Sequence, residues 1–522
     1  MRSPKRWYAA ASIVVTVSTM GCYENFSDPS YVATSGWTSI EGLALRANSD
    51  DLVMAYYYDE EIRVARSYDN GLSWPSNSLI FSTAGEVGQT GNHLVADHSA
   101  YGTFFYADSR GRGPGSWDLE GTHRVYRSSN AGGSWNLSHE VSSNEMRFDE
   151  IKLAQNPNDA DAVVYAIRQR DEDASKILLY GSSNRGTSFR SRSQPLPPSS
   201  ESTSLNDLIY MDDGALILFY STRASGSAPQ YFIKRSTNNG ITWTTAIRVN
   251  STLTGSSLSG GSGDLAQAGT ALHAVWGNDQ EFKHAYSTDG GLSWSDNEVI
   301  AEDRYLYPDL VWSETQGALI VGYMNTDFSG PGWNYHYRIR GSEWSEELRI
   351  NNHTGGQSNA SQGGHHDAMV IDSNGILYAG FSDRTVEFGE SSHAAIAISD
   401  PNFGSLTSAV GIQLDESTIV GSIRPGETLS FSFSANNFGD APETFDAWIT
   451  YEGETGISGT LQTYRNVTLA ADASGSATYS TVVPARAPQK KYYRLAVHIG
   501  DVSTKSTEDS DSFSLYMNSP RP

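Results

Sequence analysis

Apolar residues in this chain occur mainly in short runs bounded by glycine, asparagine, aspartate and serine, which predicts short β-strands rather than helices. Seven such runs recur between residues 37 and 412, at intervals of roughly fifty residues. They are LVMAYYYD, GTFFYADS, AVVYAIR, ALILFYSTR, ALHAVWGND, ALIVGYMN and ILYAGFSD. A further β-rich stretch, such as IRVARS or HRVYRS, follows in each unit. A period of this length indicates stacked copies of one supersecondary unit.

An eight-residue motif, Ser-x-Asp/Asn-x-Gly-x-Thr/Ser-Trp/Phe, follows the β-rich stretch in five of the units. Its copies occupy residues 67–74, 128–135, 182–189, 236–243 and 287–294, and a weaker copy retains Gly341 and Trp344. The Asp or Asn side chain accepts backbone hydrogen bonds in a tight turn, and glycine supplies a position with positive φ. The octet therefore predicts a hairpin turn with its Trp or Phe packed underneath.

The octet resembles the Asp box, or BNR repeat, of sialidase-like β-propellers. The resemblance implies an all-β fold of four-stranded blades, with the octets far from the active face. Residues 37–412 then form a seven-bladed propeller; a six-bladed ring with one divergent insertion is the alternative. Residues 413–522 lose the period but keep alternating strands with turns about every 8 to 12 residues, which predicts a β-sandwich. This part resembles the Ig-like or fibronectin-like modules of bacterial surface proteins.

The N-terminal residues have the character of a targeting segment. Basic residues at positions 2, 5 and 6 precede an apolar run too short to cross a membrane as a mature helix, and the run ends at Cys22, the only cysteine. Met20-Gly21-Cys22 resembles a bacterial lipobox. We predict a lipoprotein-type signal peptide over residues 1–21, lipidation of Cys22 and a tether over residues 22–36. The expected location is the bacterial cell envelope, lipid-anchored, with plain secretion as the alternative.

The net charge of −24 limits the classes of partner. So acidic a chain is expected to repel nucleic acid and other polyanions. Contact with a membrane is expected through the lipid anchor only. A carbohydrate or glycoconjugate, which needs no net positive surface, is the partner that the resemblance implies.

A carboxylate recurs where the chain enters the first strand in six of the seven units. Aligned in this way, the seven residues are Glu41, His93, Asp149, Asp207, Asp264, Asp309 and Asp367. Carboxylates around a narrow channel repel one another unless a cation or backbone N–H groups compensate. Ca²⁺ is one possible cofactor, bound by Asp149, Asp207, Asp264, Asp309 and Asp367. The alternative is that each acid ties its unit to the next by accepting backbone hydrogen bonds.

The second and seventh units depart from the repeat, and departures of this kind mark functional sites. In the second unit His93 replaces the acid, and a long glycine-rich loop follows the second strand. We expect His93, Asp108, Arg110, His366, Asp383 and Arg384 to converge. Candidate ligand-binding residues are Asp108, Arg110, Arg112, Trp117, Trp333, Asp383 and Arg384, because Arg/Asp pairs and aromatic rings suit sugars. Candidate catalytic residues are His93, Tyr106, Arg110 and His366.

We therefore expect a propeller that recognises carbohydrate on its loop face. The alternatives are a glycan-cleaving enzyme, either a glycoside hydrolase or a polysaccharide lyase, and a non-enzymatic surface scaffold for adhesion or protein binding. Sialidase activity itself is not expected. Sialidases carry Arg-Ile-Pro at the start of the first blade, whereas this chain has Ser39-Ile40-Glu41 there.

Overall fold

The computed structural model describes most of the chain in segments. These are residues 13–14, 30–33, 38–45, 52–68, 71, 73–83, 87–96, 102–112, 120–143, 147–170, 174–199, 201–224, 227–251, 262–277, 281–302, 305–325, 334–340, 344–345, 348–350, 369–383, 393–399, 410–415, 418, 422–437, 442–453, 458–470, 473–488, 491–503 and 506–519. Within these segments the regular structure is β-strand and there is no α-helix. No helix in the described part meets the length and hydropathy needed to cross a membrane.

Seven antiparallel four-stranded sheets account for the repeating part of the described chain. Sheet 1 contains Thr38–Leu45, Leu52–Tyr58, Glu61–Ser67 and Ser76–Ser82. Sheet 2 contains Val87–Ala96, Phe104–Arg112, Glu120–Ser128 and Asn136–Ser143. Sheet 3 contains Arg147–Asn156, Asp159–Arg170, Ser175–Ser183 and Arg190–Ser199. Sheet 4 contains Ser202–Tyr210, Leu216–Arg223, Gln230–Ser236 and Ile247–Arg248.

The remaining sheets of this part follow the same order of strands. Sheet 5 contains Ser262–Ala268, Ala271–Gly277, Glu281–Ser287 and Glu298–Glu302. Sheet 6 contains Tyr305–Ser313, Ala318–Asn325, Asn334–Arg340 and Leu348–Arg349. Sheet 7 contains Met369–Ile371, Leu377–Asp383, His393–Ile398 and Ser30–Ala33.

The fourth strand of sheet 7 comes from near the N-terminus. Ser30–Ala33 pairs antiparallel with His393–Ile398, so the two ends of the repeating region are joined in one sheet. The predicted tether over residues 22–36 does not account for this strand. The pairing closes the order of sheets into a ring by backbone hydrogen bonds.

The apolar core of this region consists of layers between sheets. The first strands of consecutive sheets contact one another from sheet 1 to sheet 7, and sheet 7 contacts sheet 1. Seven apolar clusters fill the seven gaps between neighbouring sheets. Both faces of each sheet are therefore buried, which explains why the second strands read as continuous apolar runs rather than as strict alternation.

The octet forms the same turn in each of its four fully described copies. In residues 128–135, the N–H of Gly132 donates to Ser128 Oγ at 2.9 Å, and the N–H of Ser134 donates to Asn130 Oδ1 at 2.9 Å. Gly132 has a φ of 78°, where a side chain would be strained. The aromatic residue of each copy packs on the apolar cluster between its own sheet and the preceding one; these residues are Trp135, Phe189, Trp243 and Trp294.

The C-terminal region forms two further sheets around a separate apolar core. The first contains Val410–Asp415, Thr428–Asn437 and Ser474–Val482, with Ile13–Val14 paired at its edge. The second contains Ser422–Ile423, Ser506–Met517, Lys491–Asp501, Glu443–Gly453 and Ser458–Leu469. The first described strand after the repeating sheets begins at Val410, and residues 400–409 lie outside the described part of the chain.

Candidate functional site

A chain of hydrogen bonds links the first strands of sheets 2 to 7. In each link a side chain of one first strand accepts a backbone N–H from the first strand of the next sheet. The donors and acceptors are Leu153 N–H to His93 Nδ1 (2.7 Å), Leu205 N–H to Glu150 Oε2 (2.6 Å), Leu265 N–H to Asp207 Oδ2 (3.2 Å), Leu310 N–H to Asp264 Oδ2 (2.6 Å) and Met369 N–H to Asp309 Oδ2 (3.1 Å).

In the described part of the chain, the recurring acids connect each sheet to the next through these hydrogen bonds. Asp207, Asp264 and Asp309 are buried, and each satisfies a backbone donor of its neighbour. No group of three or more His, Cys, Asp or Glu side chains among the described residues is arranged to bind a metal ion. A buried carboxylate that accepts backbone N–H groups needs no cation to offset its charge. A hydrogen bond to the next sheet is thus the interaction observed at the predicted Ca²⁺ ligands Asp207, Asp264 and Asp309.

In sheet 3 the tie is made by Glu150 rather than by the predicted Asp149. The pairing register shifts between Asp149 and Ile151, and Glu150 has a φ of 26°. A bulge of this kind inserts one residue and redirects the side chains around it. Glu150 Oε1 also accepts a hydrogen bond from Arg168 at 2.6 Å, so its carboxylate is held on both oxygens.

Tyr106, Asp108 and Arg110 form a buried cluster between sheets 1 and 2. Arg110 Nε donates to Asp108 Oδ2 at 3.0 Å, and the Tyr106 hydroxyl lies 3.5 Å from Asp108 Oδ1. Their side chains alternate along one strand and therefore share one face of the sheet. Asp108 is fully buried and the Arg110 side chain is 5% exposed. Arg110 Nη2 is buried without a hydrogen-bond partner within the described structure.

An aromatic ring packs against this cluster from sheet 1. The Arg110 guanidinium lies 5.6 Å from the centre of the Phe81 ring, and the Arg124 guanidinium lies 5.5 Å from the same centre. Tyr126 stacks on Phe81 at 4.9 Å. Arg124 is in turn paired with Glu140 at 2.7 Å. The cationic groups are thus held in fixed positions by carboxylates and by the face of the ring.

The electrostatics of the cluster are set by two carboxylates and one cation. Burial raises the pKa of Tyr106 well above its ordinary value, and the charges of Asp108 and Glu41 raise it further. For Arg110, burial opposes the charged form, but Asp108, Tyr106 and Glu41 outweigh it and the pKa is raised. Tyr106 is therefore a neutral hydroxyl near neutral pH, whereas Arg110 is a permanent cation. The cluster can donate hydrogen bonds to an uncharged or anionic group.

The cluster lies toward the end of sheet 2 that is opposite the octet. Phe104, at the start of the second strand, pairs with Ser128 of the octet, whereas Arg110 pairs with Thr122 at the far end. The second strand ends at Arg112 and the third begins at Glu120 at this far end. The octet turn and this cluster therefore lie at opposite ends of sheet 2.

The structure brings together only some of the predicted site residues. Tyr106, Asp108 and Arg110 form one cluster, but His93 lies on the other face of sheet 2, toward Leu153 of sheet 3. The strands are described at Arg112, Asp149 and Asp383, but the side chains of these three residues are not. Cys22, Trp117, Trp333, His366, Asp367 and Arg384 lie outside the described residues.

Two buried histidine clusters were not predicted. Between sheets 2 and 3, His123 Nε2 lies 2.9 Å and His139 Nδ1 lies 2.5 Å from the Tyr165 hydroxyl. Between sheets 5 and 6, His273 Nδ1 lies 2.9 Å from His284 Nε2. His273 and His284 lie on two paired strands of one sheet, and Tyr165 reaches His123 and His139 from the neighbouring sheet, so no contiguous motif indicates either cluster.

In the second histidine cluster, His284 faces both a guanidinium and a carboxylate. Arg340 Nη1 lies 3.0 Å and Glu298 Oε2 lies 3.2 Å from His284 Nδ1, and Arg340 also contacts the Glu298 carboxylate. Nδ1 accepts from Arg340 in one tautomer of the neutral ring and donates to Glu298 in the other. Burial lowers the pKa of His284 to about 2, with further contributions from Arg340 and His273. Both rings are therefore neutral.

Comparison with solved structures yields distant similarities. The chain is similar to the Hadza microbial sialidase Hz136, with 18% identity over 55% of this chain and 63% of that one and a TM-score of 0.40. It is similar to the Penicillium chrysogenum α-L-arabinanase complexed with arabinobiose, with 13% identity over 74% and 99% and a TM-score of 0.39. The Trypanosoma rangeli sialidase in complex with DANA gives 10% identity over 93% and 88% and a TM-score of 0.36.

These similarities do not identify an activity for this chain. The chain spans less than two thirds of the Hz136 sialidase, and the TM-scores are below 0.5. No protein-family model matches the sequence, and no curated protein matches it significantly.

Proposed function

We propose that this protein is a seven-bladed β-propeller with an Ig-like C-terminal sandwich, and that it recognises carbohydrate on the propeller face opposite the octet turns. The blade count is supported by the seven described sheets, their cyclic contacts and the closure by Ser30–Ala33. The octets are Asp boxes in this proposal. A rigid ring of blades presents loops at one end, and such loops are where recognition is usually built.

The main support for a recognition site is the buried guanidinium of Arg110. Its guanidinium is buried and is held by Asp108 and Phe81, yet Nη2 has no partner within the described structure. A buried donor without a partner is costly, and such a group is commonly satisfied by solvent or by a ligand. A hydroxyl or carboxylate of a sugar supplies the missing acceptor. Asp108 holds the guanidinium in place, and the Tyr106 hydroxyl lies beside the same carboxylate.

The remaining predicted ligand residues belong to the same proposal. Trp117 and Trp333 would offer apolar platforms for sugar rings, and Arg112, Asp383 and Arg384 would bind hydroxyls at the rim. The strongly acidic chain argues for a ligand without dense negative charge and against nucleic acid. No metal ion is required for this mode of binding, although Ca²⁺ at the channel mouth, involving Asp149 and Asp367, is retained as an alternative.

Glycan cleavage is the second candidate function. It is favoured by the burial of two carboxylates, Glu41 and Asp108, close enough to Tyr106 to raise the pKa of its hydroxyl. Paired carboxylates are the usual chemical equipment of glycoside hydrolases. A non-enzymatic scaffold that binds protein is the third possibility, and it predicts no glycan binding.

Arg110→Lys tests the site, since lysine keeps the charge beside Asp108 but removes the guanidinium fork. The protein is first screened on a glycan array and assayed for release of reducing ends from polysaccharide mixtures. We expect the variant to bind the selected glycan at least about tenfold more weakly, because a charge-assisted hydrogen bond contributes about 1.5–3 kcal/mol. Arg235→Lys, at the octet end and paired with Asp213, is the matched control and should bind normally.

The outcomes separate the candidates. Full glycan binding by Arg110→Lys, with a lowered melting temperature, would show that Arg110 only braces its own strand. Release of reducing ends that Asp108→Asn abolishes would establish cleavage. If the wild-type protein binds no glycan, carbohydrate recognition is refuted and the protein-binding scaffold is favoured.

The proposed location is the bacterial cell envelope, with a lipid anchor on Cys22. The proposal depends on the single cysteine at the end of the N-terminal apolar run. We expect a palmitate analogue to label the wild-type protein, and Cys22→Ser to lose both the label and membrane partition. Unchanged membrane association of the Cys22→Ser protein would refute the anchor and favour another mode of attachment.

A further inference from the structure

An apolar cavity lies between the two sheets of the C-terminal sandwich. Its volume is about 240 Å³, and its lining comes from both sheets and from the segment that follows Ser474–Val482. Leu429, Leu495 and Leu515 form part of the buried floor, each 4% exposed or less. Tyr451 and Leu461 are half-buried walls that pack against the same core. The cavity is thus a continuation of the sandwich core that reaches the surface.

The segment over residues 484–488 forms the rim of the cavity. The N–H of Val483 donates to the carbonyl of Glu427 at 2.9 Å, and the N–H of Ala487 donates to the carbonyl of Pro484 at 2.9 Å. The Tyr493 hydroxyl donates to the carbonyl of Pro488 at 3.3 Å. Two prolines restrict the backbone of this short turn. The rim is therefore held by hydrogen bonds and is preformed rather than dependent on a ligand.

The chemistry of the cavity has two parts. Its interior is lined almost wholly by aliphatic and aromatic carbon, so transfer of an apolar group from water into it is favourable. Arg486 is exposed at the rim, and none of the described residues that line the cavity is a carboxylate. The chain carries a net charge of −24, so an anion is attracted only where a local cation offsets the overall field. The rim is such a place.

We infer that this cavity binds the alkyl chain of a medium-length carboxylate, with the carboxylate at Arg486. An apolar cavity of about 150 Å³ holds one benzene molecule, so by proportion this cavity accommodates roughly ten carbon atoms. The class of ligand is a single-chain amphiphile with an anionic head, represented by decanoate. This site is in a different region of the chain from the proposed glycan site, and neither depends on the other.

Decanoate binding to the full chain is measured by calorimetry below the micellar concentration, with 1-decanol and decyltrimethylammonium as head-group comparisons. We expect one saturable site for decanoate and weaker binding of the cationic probe. Leu461→Trp, which places an indole in the cavity, should weaken decanoate binding at least tenfold. Val482→Trp puts the same side chain at a 60% exposed position outside the lining and should bind normally.

The head-group assignment is tested at Arg486. Arg486→Gln should weaken decanoate binding several-fold and leave 1-decanol binding unchanged, whereas Arg465→Gln, an exposed position outside the cavity, should change neither. Ala487→Trp at the rim provides a second blocking variant in case Leu461→Trp does not fold. Absence of saturable binding of all three probes, or binding insensitive to both blocking variants, would overturn the proposal. Equal effects of Arg486→Gln on decanoate and 1-decanol would overturn the role of the cation.

Discussion

Replacing Asp264 with alanine is expected to lower the free energy of unfolding of the seven-sheet region (sheets 1 to 7, the sheet ring) by about 3 kcal/mol. The substitution removes the acceptor of the 2.6 Å hydrogen bond from the Leu310 N–H and leaves that buried donor unsatisfied. Asp264→Asn retains an acceptor oxygen and should lose about 1 kcal/mol. Urea unfolding followed by tryptophan fluorescence measures the change, because Trp448 is the one tryptophan after residue 410 and the signal reports mainly on the ring.

The same experiment decides between the two roles considered for the acids. Asp213→Asn is the control: Asp213 is exposed and paired with Arg235, and asparagine keeps an oxygen for the Ala215 N–H, so the unfolding free energy should change by less than about 1 kcal/mol. If the acids serve as inter-sheet ties, EDTA and added Ca²⁺ leave the melting temperature of the wild-type protein unchanged. A melting temperature that rises with Ca²⁺ and no longer does so in Asp264→Asn would instead establish a cation site at the channel mouth.

Features encoded locally in the sequence were predicted more readily than contacts between sheets. The octet places its turn through bonds within four residues, such as Gly132 N–H to Ser128 Oγ, so its spacing alone indicates a hairpin. The second strands, such as Leu52–Tyr58, are continuous apolar runs because sheets pack on both of their faces. Ser30–Ala33 has no comparable signal, and its role depends on pairing with a strand more than 360 residues away.

The site shows the same limit. Tyr106, Asp108 and Arg110 alternate along one strand, so their shared face follows from the sequence. The Phe81 ring beneath Arg110 comes from another sheet, and alignment of the repeats does not indicate it. A single bulged residue moved the tie from Asp149 to Glu150, which spacing cannot reveal. His93 was grouped with Arg110 because both depart from the repeat, but strand alternation places them on opposite faces of sheet 2.

The sheet ring is expected to lose stability as the pH falls from 7 to 5. Burial lowers the pKa of His123 to about 3, with His139 contributing, and burial lowers the pKa of His273 to about 4 and that of His284 to about 2. In the unfolded chain these groups titrate near 6.5. Below that pH the unfolded state takes up protons that the folded state does not, and this difference favours unfolding.

The size of the stability loss and the pH range over which it occurs follow from this difference in proton uptake. Each histidine that stays neutral in the fold contributes a loss of about 2 kcal/mol by pH 5, and most carboxylates titrate below this window. Protonation is opposed structurally as well, because a charged His284 would face the guanidinium of Arg340 across the gap between sheets 5 and 6. Glu298 Oε2 lies 3.2 Å from His284 Nδ1 but is also paired with Arg340, so its charge is shared between the two groups.

Two measurements test the prediction. Urea unfolding at pH 7, 6 and 5 should give decreasing free energies for the wild-type protein, and His273→Gln/His284→Gln should show a shallower decrease even if its stability at pH 7 is lower. Imidazole ¹⁵N shifts of His284 at pH 5 should be those of a neutral ring. A stability that stays constant from pH 7 to pH 5, or an imidazolium signal for His284 at pH 5, would show that these inter-sheet histidines are not held neutral by burial beside Arg340.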